Sequence, residues 1–254
     1  MTDLLRNART AGDLRAALEA LPNDPRLREA LVECYDALAA GPKRDPAASL
    51  RAELLRALRP LVTVADRERL EKALVTYEFG PLGENCSGLR AAALLALGDL
   101  DPDLAELYAV HLLGDGHTEH MSGEPALTAV QFLVRRGALA TVYLHALRAG
   151  EAQEDRAEAL RNLASLPAPL VLELADEVAK TGSVSALVGL FDLLTAHDRP
   201  EAFAGFVKEW ALHTEELDLM DFALAQAVAQ HREPLVDVLK EARRLRGLDR
   251  FSDN

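Results

Sequence analysis

Two histidines, His117 and His120, stand three residues apart in the segment Gly114–His120 (GDGHTEH), with acidic residues beside them. Imidazole and carboxylate groups bind zinc in proteins, but a zinc site needs three or four ligands held by rigid elements. Here every close candidate lies in one glycine-flanked stretch, ahead of a helix that we expect to begin near Pro125. The HExxH pattern is absent, because the string reads His-Thr-Glu-His. We interpret the segment as a polar, solvated loop and predict neither a metal site nor a cofactor.

The acidic string Asp99–Asp103 (DLDPD) resembles the start of a calcium-binding loop, because acids occupy alternate positions. Such a loop needs glycine at its sixth position and glutamate at its twelfth, and these positions hold Leu104 and Val110. The string is therefore more typical of a turn between repeats, in which Asp99 or Asp101 caps the next helix.

Patterns typical of catalysis are missing from the sequence, which contains no GxSxG, no Walker-type phosphate loop and no GxGxxG. The paired acids Glu215 and Glu216 are typical of a helix start, where the helix dipole favours negative charge. Cys34 and Cys86 have no base near them in sequence, so we expect each to be a small buried side chain. We assign no catalytic residue.

The segment Lys240–Arg250 (KEARRLRGLDR) is the one basic cluster in the sequence. Lysine and arginine favour the last turn of a helix, and Gly247 could supply a left-handed cap. We interpret the cluster as a helix end, and a small site for an anionic partner is the alternative.

The balance of charges excludes some classes of partner. The chain of 254 residues has 41 acidic and 28 basic side chains, a formal charge of −13. A phosphate backbone attracts the opposite sign, so broad binding to nucleic acid or to an anionic membrane is disfavoured. The longest apolar run, Ala91–Leu97, is seven residues, and the first residues form no continuous hydrophobic stretch. We expect no membrane span and a cytoplasmic location.

Similar strings recur along the chain. Leu50–Leu58 (LRAELLRAL) and Leu89–Leu97 (LRAAALLAL) share six residues in order at an offset of 39. Arg156–Leu163 (RAEALRNL) also shares six with the first string, and a weaker echo begins at Leu14. Because glycine, proline and aspartate turns separate Ala/Leu-rich stretches, a period of about 30 to 40 residues predicts an array of stacked helices.

At these repeats the chain resembles the HEAT-repeat family. HEAT units are written as a first helix ending in Leu-Leu-x-Asp and a second with arginine, paired alanines and a closing Leu-Gly. Leu112, Leu113 and Asp115 match the first part; Arg90, Ala91, Ala92, Ala96, Leu97 and Gly98 match the second. The resemblance is clearest over residues 50–166. Tetratricopeptide repeats are the rival, but their pattern is not visible, and the single tryptophan, Trp210, lies in the less regular C-terminal part.

The composition and the resemblance together predict an all-α fold. Alanine and leucine dominate a chain that is 49% hydrophobic and 5% aromatic, and both residues favour helices. The resemblance implies an α-α superhelix of about ten to thirteen helices in antiparallel pairs. We expect one domain, residues 1–254, because no long flexible linker divides the sequence.

A HEAT-like solenoid does not by itself specify a function. The leading interpretation is a non-catalytic scaffold or adaptor that binds another protein or a peptide. The alternatives are an enzyme acting at the His117/His120 loop, a HEAT-like DNA-repair enzyme, and a lyase or chaperone for a prosthetic group. The oligomeric state is open.

The resemblance also implies where a partner would bind, since the second helices of HEAT pairs line the concave face. We take these helices as about 50–59, 89–98, 125–136, 155–165, 184–195 and 217–230. The predicted partner-binding residues are Arg56, Leu95, Gln131, Arg135, Arg161 and Asn162. Glu53, Ala92, Thr128 and Glu158 are expected on the same outward stripe, which continues through Ser185, Asp192, Asp218 and Asp221 and becomes acidic toward the C-terminus. An acidic or amphipathic peptide would suit its basic or apolar middle.

Overall fold

The computed structural model describes residues 5, 7–19, 26–81, 83–119, 121–148, 154–181 and 183–248. These residues form fourteen α-helices, four short 3-10 segments and one two-stranded hairpin, so the predicted all-α class is confirmed. Fourteen helices exceed the expected ten to thirteen. Several are only eight to ten residues long, and apolar periodicity separates such short helices poorly. Among the described residues, no helix has both the length and the apolar character needed to cross a bilayer.

The chain divides into two compact units, residues 1–136 and 137–254. The helices of the first unit are α1 (Ala11–Glu19), α2 (Arg26–Ala39), α3 (Ser49–Leu58), α4 (Arg67–Leu74), α5 (Ser87–Leu100), α6 (Pro102–Leu113) and α7 (Ala126–Arg136). A short hairpin, β1 (Phe79–Gly80) and β2 (Gly83–Glu84), lies between α4 and α5. Helices α1, α3, α5 and α7 pack in series as one layer, and α2, α4 and α6 cover them.

The second unit repeats the same arrangement. Its helices are α8 (Leu139–Leu147), α9 (Glu154–Arg161), α10 (Ala168–Thr181), α11 (Val184–Ala196), α12 (Ala204–His213), α13 (Leu217–Ala229) and α14 (Glu233–Leu245). Helices α9, α11 and α13 pack in series, and α8, α10, α12 and α14 form a second series beside them. Each unit is thus a two-layered array in which helices pack on their neighbours in sequence, the arrangement typical of a helical repeat protein.

The odd-numbered helices from α3 onward correspond to the second helices expected from the sequence. Most of their ends agree with the expected ends within two residues. The largest difference is in α9, which ends at Arg161 rather than near 165.

Glycine allows two of these helices to approach closely. A Cβ added to Gly189 of α11 would lie 2.6 Å from the carbonyl oxygen of Ala157 in α9. That neighbour is backbone, so it cannot rotate away as a side chain can. The packing of α9 on α11 therefore depends on the missing side chain.

Many ion pairs between different elements join residues that are 31 to 40 positions apart. The set is Arg15–Glu53, Arg28–Asp66, Arg59–Asp99, Arg67–Asp101, Arg69–Asp36, Arg136–Asp103, Arg161–Asp192 and Lys208–Glu241. This spacing agrees with the repeat period in the sequence, so charged side chains tie successive repeats together.

Candidate functional site

The segment that carries Asp115 and His117 is anchored by a buried acid. The Asp115 carboxylate is almost fully buried, with Oδ2 lying 3.0 Å from Nε of Arg90. It also accepts hydrogen bonds from the Tyr77 hydroxyl, at 3.3 Å, and from the His117 backbone N–H, at 2.9 Å. Asp115 therefore departs from the solvated loop that we expected, because it closes a charge network inside the first unit.

The His117 side chain is exposed and takes part in aromatic contacts. Its ring meets those of Tyr77 and Phe79 edge-on, with centroids 5.5 and 5.2 Å away. In the described part of the chain, no three His, Cys, Asp or Glu side chains are grouped so that they could hold a metal ion. His120, the second histidine of the segment, lies outside the described residues.

Arg51 and Arg90, the arginines shared by the two best sequence repeats, are both buried, and each forms ion pairs with two carboxylates. Arg51 lies 3.2 Å from Asp45 and 2.7 Å from Glu78, and donates to the Asp45 carbonyl oxygen. In both repeats one acid precedes the arginine by six residues, because the chain turns there into the N-terminus of the helix.

The Arg90 network is the more completely buried of the two. The guanidinium lies 2.9 Å from Glu84 and donates to the Thr76 carbonyl oxygen. It stacks 4.2 Å above the centroid of the Tyr77 ring. Its Nε faces Asp115 without hydrogen-bond alignment, so that contact is an ion pair only. The repeated arginine thus has a structural role that the sequence comparison did not assign.

The third repeat keeps the buried arginine and changes its partners. Arg156 donates from Nε to the Ala146 carbonyl oxygen at 2.8 Å, while its buried Nη2 has no hydrogen-bond partner among the described residues. Burial lowers the pKa of Arg156, and the charges of Glu177 and Asp155 oppose that shift. The neighbouring Asp155 instead contacts Nε2 of His145 at 2.8 Å.

A separate charge cluster joins α2 to α4 at the buried Asp66. Its carboxylate lies 2.5 Å from Arg28 and 2.7 Å from Arg69, and accepts a hydrogen bond from the Thr63 backbone N–H at 2.9 Å. Burial alone would raise the pKa of Asp66, but the hydrogen bonds from Arg28 and Thr63 outweigh it and hold the pKa below 3.8. The cluster therefore stabilises the ionised acid.

The two cysteines are buried, as the sequence predicted. Burial raises the pKa of the Cys86 thiol to about 11, and the nearby carboxylates of Glu78 and Glu84 act in the same direction. A thiol that stays protonated at neutral pH is a poor nucleophile, so Cys86 is suited to packing rather than to catalysis.

Two predicted helix ends are confirmed. Asp101 precedes α6, and its side chain accepts a hydrogen bond from the Leu104 backbone N–H at 3.1 Å. Gly247 follows α14 with φ of +70°, the left-handed conformation expected of a cap. Two arginines at the end of this helix have partners: Arg243 of α14 pairs with Asp221, and Arg246, directly after α14, donates to the Ala211 carbonyl oxygen at 2.9 Å. The end of the basic cluster, residues 249 and 250, lies outside the described residues.

The predicted partner-binding residues are distributed over both units. In the first, Arg56, Gln131 and Arg135 are exposed and Leu95 is half-buried. In the second, Arg161 and Asn162 are engaged with other helix side chains. Arg161 lies 2.9 Å from Asp192, and the Asn162 amide donates to the Glu158 carbonyl oxygen at 2.8 Å.

Three residues expected on the outward stripe are buried instead: Glu53, Ala92 and Thr128. Ala92 is covered because α5 packs against α3, α4, α6 and α7 together, which leaves little of its surface open. Glu53 is enclosed by Arg15 and Arg56, at 2.5 and 2.6 Å. The expectation that these three side chains face outward is wrong.

The second unit contains an open cleft around Trp210, with a volume of about 550 Å³. Its apolar lining comes from Ala179 of α10, Leu187 of α11, and Phe206 and Trp210 of α12. Trp210 is partly buried, and the Phe191 ring packs against it with centroids 4.5 Å apart. A larger cavity of about 900 Å³ in the first unit borders α1, beside residues that the structure does not describe, so the Trp210 cleft is the better-defined candidate.

The polar lining of the Trp210 cleft is strongly acidic. Its charged residues are Asp176, Glu209, Glu215 and Glu216, and its remaining polar residues are His213 and Thr214. Glu209 lies 3.4 Å from the His213 ring, whose Nδ1 also contacts the Glu209 carbonyl oxygen at 2.9 Å. The predicted helix start is confirmed, since Glu216 directly precedes α13, but the same acids also face the cleft. Sequence reasoning noted Trp210 and these acids separately and missed that packing brings them together.

The chain was compared with models of protein families, with curated proteins and with solved structures, and none of the three comparisons gave a match. The resemblance to HEAT repeats therefore rests on the residues of the chain and on its layered helices.

Proposed function

We propose that the chain is a HEAT-like solenoid that works as a non-catalytic, cytoplasmic scaffold and binds a segment of another protein in the Trp210 cleft. The observation that carries the proposal is the cleft itself, with its aromatic and aliphatic floor and its charged rim. An apolar centre surrounded by polar groups is the usual anatomy of a protein–protein interface.

The residues of the floor suit this role. Tryptophan is among the residues that contribute most to binding energy at interfaces, because it removes a large apolar surface from water. Trp210 is held by Phe191 and by the rest of α12, so little ordering of the side chain is needed when a partner binds. The volume of about 550 Å³ has room for several side chains of a partner segment.

Site-specific photo-crosslinking in the native cell tests the proposal. A photoreactive residue in place of Ala179, an exposed position of the cleft lining, should give a covalent adduct with a partner protein at a defined stoichiometry of partner to chain. Trp210→Ala in the same chain should reduce the adduct about 10-fold or more, as expected for a central interface residue.

The matched control places the same photoreactive residue at Leu144, which is exposed on α8 and does not line the cleft. An adduct that forms equally at Leu144, or that survives Trp210→Ala in the folded protein, would contradict the proposal.

The partner-binding residues predicted from the HEAT resemblance remain a second proposal, and they can be tested independently in each unit. Reversing Arg135 and Arg161 together to glutamate should weaken binding of an acidic or amphipathic segment there, because two attractive charges become repulsive. Unchanged partner recovery from a folded double variant would remove both arginines from the proposal and leave the cleft.

A further inference from the structure

We infer that the occupant of the Trp210 cleft is a basic, amphipathic protein segment that places a lysine or arginine side chain beside Trp210. This inference rests on the proposed function, and it adds the chemistry of the partner. It concerns different residues from Arg56, Leu95, Gln131, Arg135, Arg161 and Asn162, for which the sequence predicted an acidic or amphipathic peptide.

The first argument is charge complementarity. Among the residues that the structure describes, the lining contains four carboxylates and neither lysine nor arginine, so its formal charge is −4 with His213 neutral. Asp176, Glu215 and Glu216 form no ion pair with any described residue, unlike Asp66, Asp99 and Asp192, each of which pairs with an arginine of the preceding repeat. A concave surface lined by one sign of charge concentrates its field, and this one attracts cations.

The second argument is the position of the aromatic rings among these acids. A lysine or arginine head group is attracted to the face of a tryptophan ring, and the attraction grows when water is excluded. The aliphatic stem of such a side chain can cover Phe206 and Leu187 while its charged head remains near the carboxylates. One residue type thus satisfies both the apolar floor and the acidic rim.

Other occupants satisfy only part of the lining. An acidic segment would be repelled by the rim, and a neutral apolar segment would leave the unpaired carboxylates beside a dry surface. A free polyamine matches the charge but has no side chains to cover the floor at Ala179, Leu187 and Phe206. A protein segment that alternates basic and apolar residues matches both.

The fluorescence of the protein can report on the cleft directly, because Trp210 is its only tryptophan. We would titrate the full chain with three peptides of equal length that alternate leucine with lysine, glutamine or glutamate, and with spermidine. The lysine peptide should change the Trp210 emission with an affinity at least 10-fold above that of the glutamine peptide. The glutamate peptide and spermidine should be weaker still, and raised salt should weaken the lysine peptide most.

Matched charge variants test whether the acids of the cleft cause the preference for the lysine peptide. Asp176→Asn with Glu215→Gln should weaken the lysine peptide about 3- to 10-fold, since each exposed charge contributes modestly. The control, Asp198→Asn with Asp237→Asn, makes the same change of net charge at exposed acids of the second unit that do not line the cleft, and should have less than a 2-fold effect.

The possible outcomes separate this inference from the proposed function. If the lysine and glutamine peptides bind equally, or if the two double variants behave alike, the basic character of the occupant is wrong while peptide binding stands. If spermidine binds as tightly as the lysine peptide, the cleft is a polyamine site and the inference is overturned. If none of the peptides changes the Trp210 emission, both the inference and the proposed cleft fail.

Discussion

Replacing Arg90 by methionine tests whether the buried charge network supports the first unit. Methionine keeps most of the length and apolar volume of the side chain, so the substitution chiefly removes the guanidinium. Arg90 is fully buried, and the side chains of its partners Glu84 and Asp115 are 4% and 2% exposed. The variant would therefore leave two carboxylates in a protein interior without their cation.

The magnitude follows from that burial. Removing one partner of a buried ion pair costs about 3–5 kcal/mol, because the remaining charge stays desolvated. The lost stacking on Tyr77 adds up to about 2 kcal/mol for a desolvated pair. Protonation of Glu84 or Asp115, or an outward movement of the segment that carries Asp115, would lower the cost. We expect a net loss of about 3–5 kcal/mol, a large part of the stability of an ordinary domain.

The assay is urea unfolding followed by far-ultraviolet circular dichroism, with Trp210 fluorescence reporting on the second unit in the same titration. Arg136→Met is the matched control, because Arg136 also pairs with two acids, Asp103 and Glu106, but is 36% exposed. It should cost no more than about 1 kcal/mol. Equal costs for Arg90→Met and Arg136→Met would refute the reasoning that burial of the network supports the fold.

Three further predictions concern particular side chains. The pKa of Asp66 is lower in the folded protein than its ordinary value of 3.8. The ionised carboxylate therefore contributes fully to the free energy of unfolding above pH 3.8, and this contribution is lost as the pH falls through the folded-state pKa. Asp66→Asn should thus lower the free energy of unfolding by about 1.5–3 kcal/mol at pH 7, and the difference from the parent should shrink in titrations below pH 3.8. Gly189→Ala should lower the melting temperature, because overpacking against α9 reduces the free energy of unfolding by about 1–3 kcal/mol. The control Gly205→Ala adds a methyl group that meets open space on α12, so it should be neutral or stabilising. Equal shifts in melting temperature for the two variants would contradict the close approach of α9 and α11. Cys86, with its pKa raised to about 11, should resist iodoacetamide at pH 8 in the native protein and react after unfolding, as mass mapping would show.

The helices could be predicted well because their signals are local. Ala/Leu periodicity and the glycine, proline and aspartate turns placed α11 and α13 almost to the residue. The orientation of α5 was harder, since Ala91–Leu97 is apolar on every side and no stripe in its sequence tells which side stays open. For this reason Ala92 was expected outside and is buried.

The buried network and the cleft were beyond sequence reasoning for a different reason. The sequence repeats showed Arg51 and Arg90 only as recurring residue types, and an arginine on a helix is ordinarily a surface residue. Their burial depends on one acid six residues before each arginine and on a second acid 25 to 27 residues after it. The cleft joins Asp176, Trp210 and Glu216, which are 34 and 6 residues apart along the chain. Only the packing of α10, α11 and α12 decides that these residues share a surface.

The ion pairs that span one repeat have a consequence for synthesis on the ribosome. Each of the eight pairs becomes possible once about 40 further residues have been added, which takes roughly 2–8 s at 5–20 residues per second. Arg15 can meet Glu53, and Arg28 can meet Asp66, long before the second unit exists. Contacts that are short in sequence also favour fast folding. The nascent chain can therefore neutralise its charged side chains repeat by repeat, and exposes a newly made apolar helix only until the next one emerges.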